Sequence, residues 1–154
     1  MGMFKKVMTS LFICLFVATP MYAAAERGKP SEAKKLVEKA AVYVQANGEK
    51  NSLKEFSNAK GRFVKGDLYV FAYSPKAVLL ANPMFPDVVG RDLYNEPDAT
   101  GKLFRQVIVD IANVYGSGLV DYVYMNPVTK KEELKIVYFR KVGNLIVCCG
   151  AYLP

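Results

Sequence analysis

The residues best suited to chemistry lie in the last third of the chain. Between Gly118 and Pro154, three β-rich runs alternate with two turn clusters, the pattern of an antiparallel meander. Side chains alternate along a strand, so Val120, Tyr122 and Tyr124 of the first run share one face. On the second run Lys135 stands between Leu134 and Ile136. Aromatic hydroxyls and a cation held on rigid strands form a cradle suited to a small anion. One face of such a sheet can stay open for a ligand while the other packs on helices. Lys135 supports two readings. Alternation favours a solvent-facing lysine, because lysine is seldom buried. Turned inward, its charge needs a partner, and it becomes an anchor for a carboxylate. Tyr122 and Tyr124 likewise either orient a ligand through their hydroxyls or simply pack the sheet.

Other chemistries find little support. The chain has no His, which removes the commonest general base and metal ligand. Ser74 and Ser117 have no triad partner, and the carboxylate pairs Asp87/Asp92 and Glu132/Glu133 fall in loops and turns, where a solvated surface is the default. No Gly-rich phosphate loop follows a strand, and no zinc or haem spacing occurs. Neither an enzyme nor a cofactor or metal site is expected. The formal net charge is +7, two units of it from Lys5 and Lys6. That balance favours anionic ligands or plain solubility. Lys29, Lys34, Lys35, Lys39, Lys50, Lys54 and Lys60 are spread over a helical region rather than gathered with aromatics on a sheet, so nucleic acid is not an expected partner.

The elements that must position the cradle can be read in order. Ser31 is the expected cap of a helix with Leu36, Val37, Ala40, Ala41 and Val44 at helical spacing, ended by Asn47-Gly48. A capping box is not expected, since Lys34 holds its acidic position. Ser52 to Asn58 reads as a short second helix. Leu68 to Tyr73 is a strand; Ser74-Pro75-Lys76 turns, and Ala77 to Ala81 is its hairpin partner. Tyr69 and Phe71 share a face of that strand and are candidate walls of the pocket. Asn82 to Asp98 is a long connection, expected to be functional or to hold a short helix. Within it, Met84 is a candidate apolar wall and Arg91 a candidate bidentate contact to a carboxylate. Asp98 reads as a turn or cap residue. Leu103 to Tyr115 reads as a helix burying Leu103, Phe104, Val107, Ile108, Ile111 and Val114. The result is an α+β domain: a long N-terminal helix packed on a five-stranded antiparallel sheet, with the crossover over the opposite face. A pocket between sheet and crossover follows from that geometry. Cys148-Cys149 point to opposite faces of a strand and read as two small buried apolar residues, not as a disulfide.

Residues 1 to 25 have the form of a secretory signal: Lys5 and Lys6, then the apolar run Leu11 to Ala18, then Ala23-Ala24-Ala25 for cleavage after Ala23 or Ala25. The run is short for a bilayer span. Lipoprotein processing at Cys14 is not expected, because Ile13 precedes it inside the apolar core. Residues 26–30 form a short leader and 31–154 one domain, periplasmic or secreted, with no transmembrane segment after cleavage.

The order of these features resembles the single Cache domains of bacterial extracytoplasmic sensors, from about residue 31 to residue 152. The resemblance lies in Asp67 to Phe71, Leu79 to Pro83, Val89 to Leu93, Gly118, Tyr122-Val123-Tyr124, Asn126-Pro127, Lys135, Tyr138 and Gly150-Ala151-Tyr152. It implies a Cache/PAS-like fold and a sensory, ligand-binding role in signal transduction, with a short organic carboxylate as ligand. Lys135 would hold the charge and Tyr122 and Tyr124 would orient it. Tyr69, Phe71 and Met84 would wall the site. Asn82 stands where the family often has a His; it donates and accepts but does not titrate. Relatives are mostly fused to membrane helices and output modules, so a membrane sensor kinase or chemoreceptor is the expected partner. The alternative is a periplasmic protein-interaction module, with its sheet face filled by its own aromatics and its basic helix docking an acidic protein or a second copy.

Overall fold

The computed structural model describes residues 27–153; the expected signal segment and its cleavage point lie outside them. The first helix, α1, spans Pro30–Phe56. Pro30 opens it because its fixed φ suits the first helical position. The Glu32 carboxylate accepts the Lys29 N–H at 3.0 Å. The helix thus begins one residue before the expected cap Ser31, and Glu32 supplies half of the capping box that Lys34 could not. Ala33, Val37, Ala40, Ala41 and Val44 form its buried stripe. Gly48, at φ 76 and ψ 165, interrupts the helical backbone there. The two helices read from the sequence therefore run as one kinked element.

Six strands follow: β1 (Val64–Lys65), β2 (Leu68–Tyr73), β3 (Leu79–Ala81), β4 (Ser117–Met125), β5 (Glu132–Val142) and β6 (Leu145–Tyr152). They form an antiparallel sheet in the order β1-β2-β6-β5-β4, with β3 on the β1 side of β2. The short β1 adds to the expected five. The second hairpin strand starts at Leu79 rather than Ala77, which takes a turn conformation with φ 64. The last strand of the chain fills the middle of the sheet, between β2 and β5.

Alternation along the strands makes two cores. One face carries Leu68, Val70, Ala72, Val147, Cys149 and Ala151 against α1. The other carries Tyr69, Phe71, Tyr73, Val120, Tyr122, Val137, Phe139, Cys148 and Tyr152. It is covered by the crossover, which holds a 3-10 turn at Pro86–Val88, and by helix α2 (Phe104–Tyr115). Cys148 and Cys149 accordingly sit in different cores, both free and both buried.

Helix α2 is rotated from its expected orientation. It buries Phe104, Arg105, Ile108, Val109 and Ala112, whereas Leu103, Val107 and Val114 are exposed, Val114 at 72%. Phe104 and Ile108 are buried as expected, but Leu103, Val107 and Val114 face outward and an arginine faces the sheet. Gly116 ends the helix in the left-handed region at φ 79, where a Cβ is disfavoured. Among the described residues no helix is long and apolar enough to cross a membrane.

Candidate ligand-binding site

Register brings the cradle together. Lys135 on β5 pairs laterally with Tyr122 on β4 and with Tyr152 on β6, so the three side chains form one row. Tyr69 and Phe71 join from β2 on the same face. Lys135 is 0% exposed, which settles its two readings: it faces inward. Gly150 makes room for its stem. A Cβ there would lie 2.8 Å from Lys135 Cε and 2.4 Å from Val137 Cγ2.

The ammonium is held by rings and by one hydroxyl. Lys135 Nζ donates to Tyr69 Oη at 2.9 Å. Tyr69 and Tyr152 hydroxyls are 3.2 Å apart, and Tyr152 donates to the Met125 carbonyl at 2.8 Å. The proton order follows: Tyr152 has spent its hydrogen on Met125, so Tyr69 donates to Tyr152 and is left free to accept from the lysine. Ring centroids of Tyr69, Tyr152, Phe71 and Tyr124 lie 4.0, 4.6, 5.1 and 5.9 Å from Nζ, within cation–π range. No carboxylate among the described residues comes within ion-pairing distance of it.

Burial pushes the Lys135 pKa down to about 7, against the weaker opposing pull of Cys149, Cys148 and Asp67. The phenols and thiols around it cannot serve as a counter-charge by ionising. Burial raises the phenols of Tyr69 and Tyr122 and the Cys148 thiol well above their ordinary values, and Cys149 to about 12. The site is therefore a cation, or an amine on the edge of becoming one, waiting in a neutral aromatic box.

The face is packed rather than hollow around Lys135, in contrast to the pocket expected there. The Tyr122 ring stacks on Phe104, centroids 3.6 Å apart and 13° from parallel. Tyr124 meets Phe85 edge-on at 5.4 Å and Tyr122 edge-on at 5.8 Å. Bulky rings from β2, β6, β5 and β4, met by Phe85 and Phe104 from above, fill the space that the topology leaves. A cavity of about 250 Å³ opens at the side of this cluster, lined by Phe85, Asp98, Phe104, Arg105, Tyr124 and Glu132 among others. Tyr124 belongs to both, while Lys135 and Tyr69 are not part of the cavity lining.

Tyr69, Phe71, Tyr122, Tyr124 and Lys135 thus converge; the remaining candidates do not join them directly. Met84 is partly buried and packs against the same core. The side-chain oxygen of Asn82 accepts the backbone N–H groups of Met84 and Phe85, at 3.0 and 3.1 Å, so it shapes the start of the crossover. Arg91 is exposed and ion-paired with Glu96. Asp98 is a turn residue, as expected. Burial would raise its pKa, but hydrogen bonds from Thr100, Val123 and Lys102 prevail and hold it near about 2.

Sequence reading missed Arg105. It is 5% exposed, donates through Nε to Tyr73 Oη at 3.2 Å and through Nη1 to the Glu96 carbonyl at 3.0 Å, and lines the cavity. The available signal was the stripe 104, 105, 108, 109, 112, which has helical spacing but places a charge at its centre. Among the described residues no group of His, Cys, Asp and Glu is placed to hold a metal ion.

A long helix packed behind an antiparallel sheet, with a helical crossover in front, is the α+β arrangement of Cache/PAS-like domains. The Cache domain model designated dCache_2 matches residues 31–153, and the chain belongs to the Cache domain family. Solved structures agree on the fold. A methyl-accepting chemotaxis protein from Vibrio parahaemolyticus aligns with a TM-score of 0.68 at 16% identity, over 79% of this chain and 86% of that one. The periplasmic sensor domain of a chemotaxis protein aligns at 0.63 and 23% identity, over 80% and 90%. A Cache chemosensory domain whose structure addresses carboxylic acid recognition aligns at 0.68 and 19% identity, over 80% and 92%. No curated protein matches the chain.

Proposed function

We propose that this chain is an exported sensory domain that binds a small organic carboxylate and hands the event to a partner protein, a membrane sensor kinase or chemoreceptor. One observation carries the reading: Lys135 is fully buried on the crossover face with no acidic partner. A buried unpaired charge is strongly unfavourable, and a bound anion is the simplest group to offset it. The Tyr122 hydroxyl would be the donor beside the ammonium, Tyr69 and Tyr152 hold the lysine in place, and Phe71 and Tyr124 supply apolar walls. Kinship with the Cache family supports a sensory role rather than an enzymatic one. The neighbour named for carboxylic acid recognition supports the choice of acid. The N-terminal signal pattern and the periplasmic neighbour support export.

Differential scanning fluorimetry with acetate, propionate, lactate and pyruvate tests the reading. An acid present at a hundred times its Kd should stabilise the domain by about 2.7 kcal/mol. Lys135→Met should abolish the shift while leaving the domain folded. No shift with any acid, or a shift that survives the substitution, would remove Lys135 as the anchor. A second reading rests on the packed face: a domain whose aromatics fill its own pocket would act as an interaction module. Under that reading acids leave the melting temperature unchanged, and the protein instead self-associates or captures an acidic partner through α1.

A further inference from the structure

Helix α1 buries one side against the sheet and leaves a groove on its flank, where it meets the segment that carries β1. Two adjoining cavities mark the groove, about 430 and about 190 Å³ in volume, and Leu36 and Lys39 line both. Leu36, Lys39, Tyr43 and Ala46 recur at helical spacing along α1, so they form one wall about 15 Å long. Arg62 and Phe63 line the larger cavity from the opposite segment, and Lys65 the smaller one. The apolar surface is held in place. Phe63 packs edge-on against Tyr43 at 5.4 Å and against Phe56 at 5.0 Å. The Arg62 guanidinium covers the Tyr43 ring at 5.2 Å. Val42, 64% exposed, also lines the larger cavity. The charge around this surface has one sign. Lys35, Lys39, Arg62 and Lys65 line the two cavities against one acid, Glu32. Glu32 is engaged by Lys65 and by the Lys29 N–H. Among the described residues Lys35 and Lys39 form no ion pair.

We infer that this groove docks a short acidic amphipathic segment of another protein. Its apolar side chains fill the two cavities, and its carboxylates meet Lys35, Lys39 and Arg62. Charge complementarity selects this occupant. A second copy of the chain is disfavoured by symmetry: a twofold contact sets one patch against itself, and these cations would face their own kind. A membrane surface is disfavoured by shape. It takes up apolar side chains that stand proud, whereas Leu36, Tyr43 and Phe63 line a concavity. The groove lies on the α1 side of the sheet, away from Lys135 and its ring of aromatics, so it stands whether or not the domain holds an acid.

Fluorescence anisotropy of the intact protein with fluorescein-labelled helical peptides tests this. One peptide is built of Glu and Leu with its leucines on one face. A second has Lys in place of Glu. A third keeps the acidic composition but scatters the leucines round the helix. The first should bind at least about tenfold more tightly than either of the others. Lys35→Glu with Lys39→Glu should weaken it by about tenfold or more. Lys50→Glu with Lys54→Glu makes the same change of net charge on α1 outside the groove, and should leave the affinity within about twofold. All four side chains are exposed, so the fold should survive both changes. Equal binding of the scattered peptide, or equal loss from the two double substitutions, would reduce the groove to unspecific charge and overturn the inference. Failure of all three peptides to bind would overturn it as well. So would a dimer in sedimentation that Lys35→Glu with Lys39→Glu disperses, since the occupant would then be a second copy. Binding to vesicles of equal parts phosphatidylglycerol and phosphatidylethanolamine, lost in the same variant and stronger than binding to the first peptide, would assign the groove to a membrane instead.

Discussion

Replacing Lys135 by Met should stabilise the ligand-free domain, and the gain should depend on pH. The methionine keeps an unbranched stem, and its sulfur packs well against Tyr69, Phe71 and Tyr152. The magnitude follows from the lysine's titration. Its pKa falls from an ordinary 10.5 to about 7 in the folded chain. At 1.36 kcal/mol per unit, the protonated lysine weakens the fold by up to about 5 kcal/mol. The lost hydrogen bond to Tyr69 offsets about 1 kcal/mol of the gain. A net gain of roughly 2–4 kcal/mol at pH 6 is the expected result. The sign of the pH dependence is fixed. Between pH 7 and 10.5 the unfolded chain binds a proton at this lysine that the native chain does not, so the lysine's own contribution to wild-type stability rises with pH across that window. Below about 7 both states hold the proton and the penalty is complete. The phenols of Tyr69, Tyr122, Tyr124 and Tyr152 and the thiols of Cys148 and Cys149, all raised by burial, act in the opposite sense at alkaline pH, but variant and wild type share them and they drop out of the difference; Asp67 forms no ion pair with the amine. Urea unfolding at pH 6, 8 and 10 gives the difference between variant and wild type directly. It should shrink as pH rises. A variant less stable than wild type at pH 6, or a gap constant from pH 6 to 10, would refute the argument that burial of an unpaired cation strains this face.

Gly150→Ala should destabilise by about 1–3 kcal/mol, the usual range for overpacking a tight core. Its Cβ would press on Val137 Cγ2 and on the Ile136 carbonyl at 2.8 Å, and on the lysine stem as well, so denaturation should show lost stability and weaker acid binding together. A neutral outcome in both would mean that β6 yields where it is drawn tight. Cys148 and Cys149 should resist a thiol reagent in the native protein and both react after unfolding, because burial hides them and raises their pKa values. Fast labelling of either thiol in native buffer would show that one core opens readily.

Much of this architecture was legible because it rests on period and punctuation. The alternation of Val120, Tyr122 and Tyr124, the Gly143-Asn144 turn and the run Leu145 to Tyr152 fix strands whatever their neighbours. The same alternation assigned Cys148 and Cys149 to opposite cores. Lys135 was not decidable this way, since period states only which neighbours share its face. Register decides it, by setting Tyr122 and Tyr152 on either side. Helix α2 misled because both of its stripes have helical spacing. The one through Leu103, Val107 and Val114 lost the core to the one through Phe104, Arg105, Ile108 and Val109, where the guanidinium can reach Tyr73 and the Glu96 carbonyl. A buried cation defeats hydrophobicity ranking because its partners lie far off in sequence. Gly150 shows the same limit from the other side: the need for a missing Cβ appears only when Val137 and the lysine stem lie against it.

A packed face and a ligand site are compatible here because of the size of the opposing terms. Moving Tyr124 aside breaks its edge contacts with Phe85 and Tyr122 and its looser one with Phe104, each contributing about 0.5–1.5 kcal/mol. Against that stands the burial penalty of up to about 5 kcal/mol on the protonated lysine, most of which an ion pair in a dry site can offset. Under the proposed reading an anion draws on that penalty to open the face, a source of free energy that an uncharged molecule of the same shape lacks. Propionate and propionamide make the comparison with nearly equal volume. Stabilisation by the acid alone, fading as pH rises through 7 and the lysine loses its proton, is what a charge-driven opening demands. Equal stabilisation by the amide would mean that the face opens for shape, and the cation would lose its part in the argument.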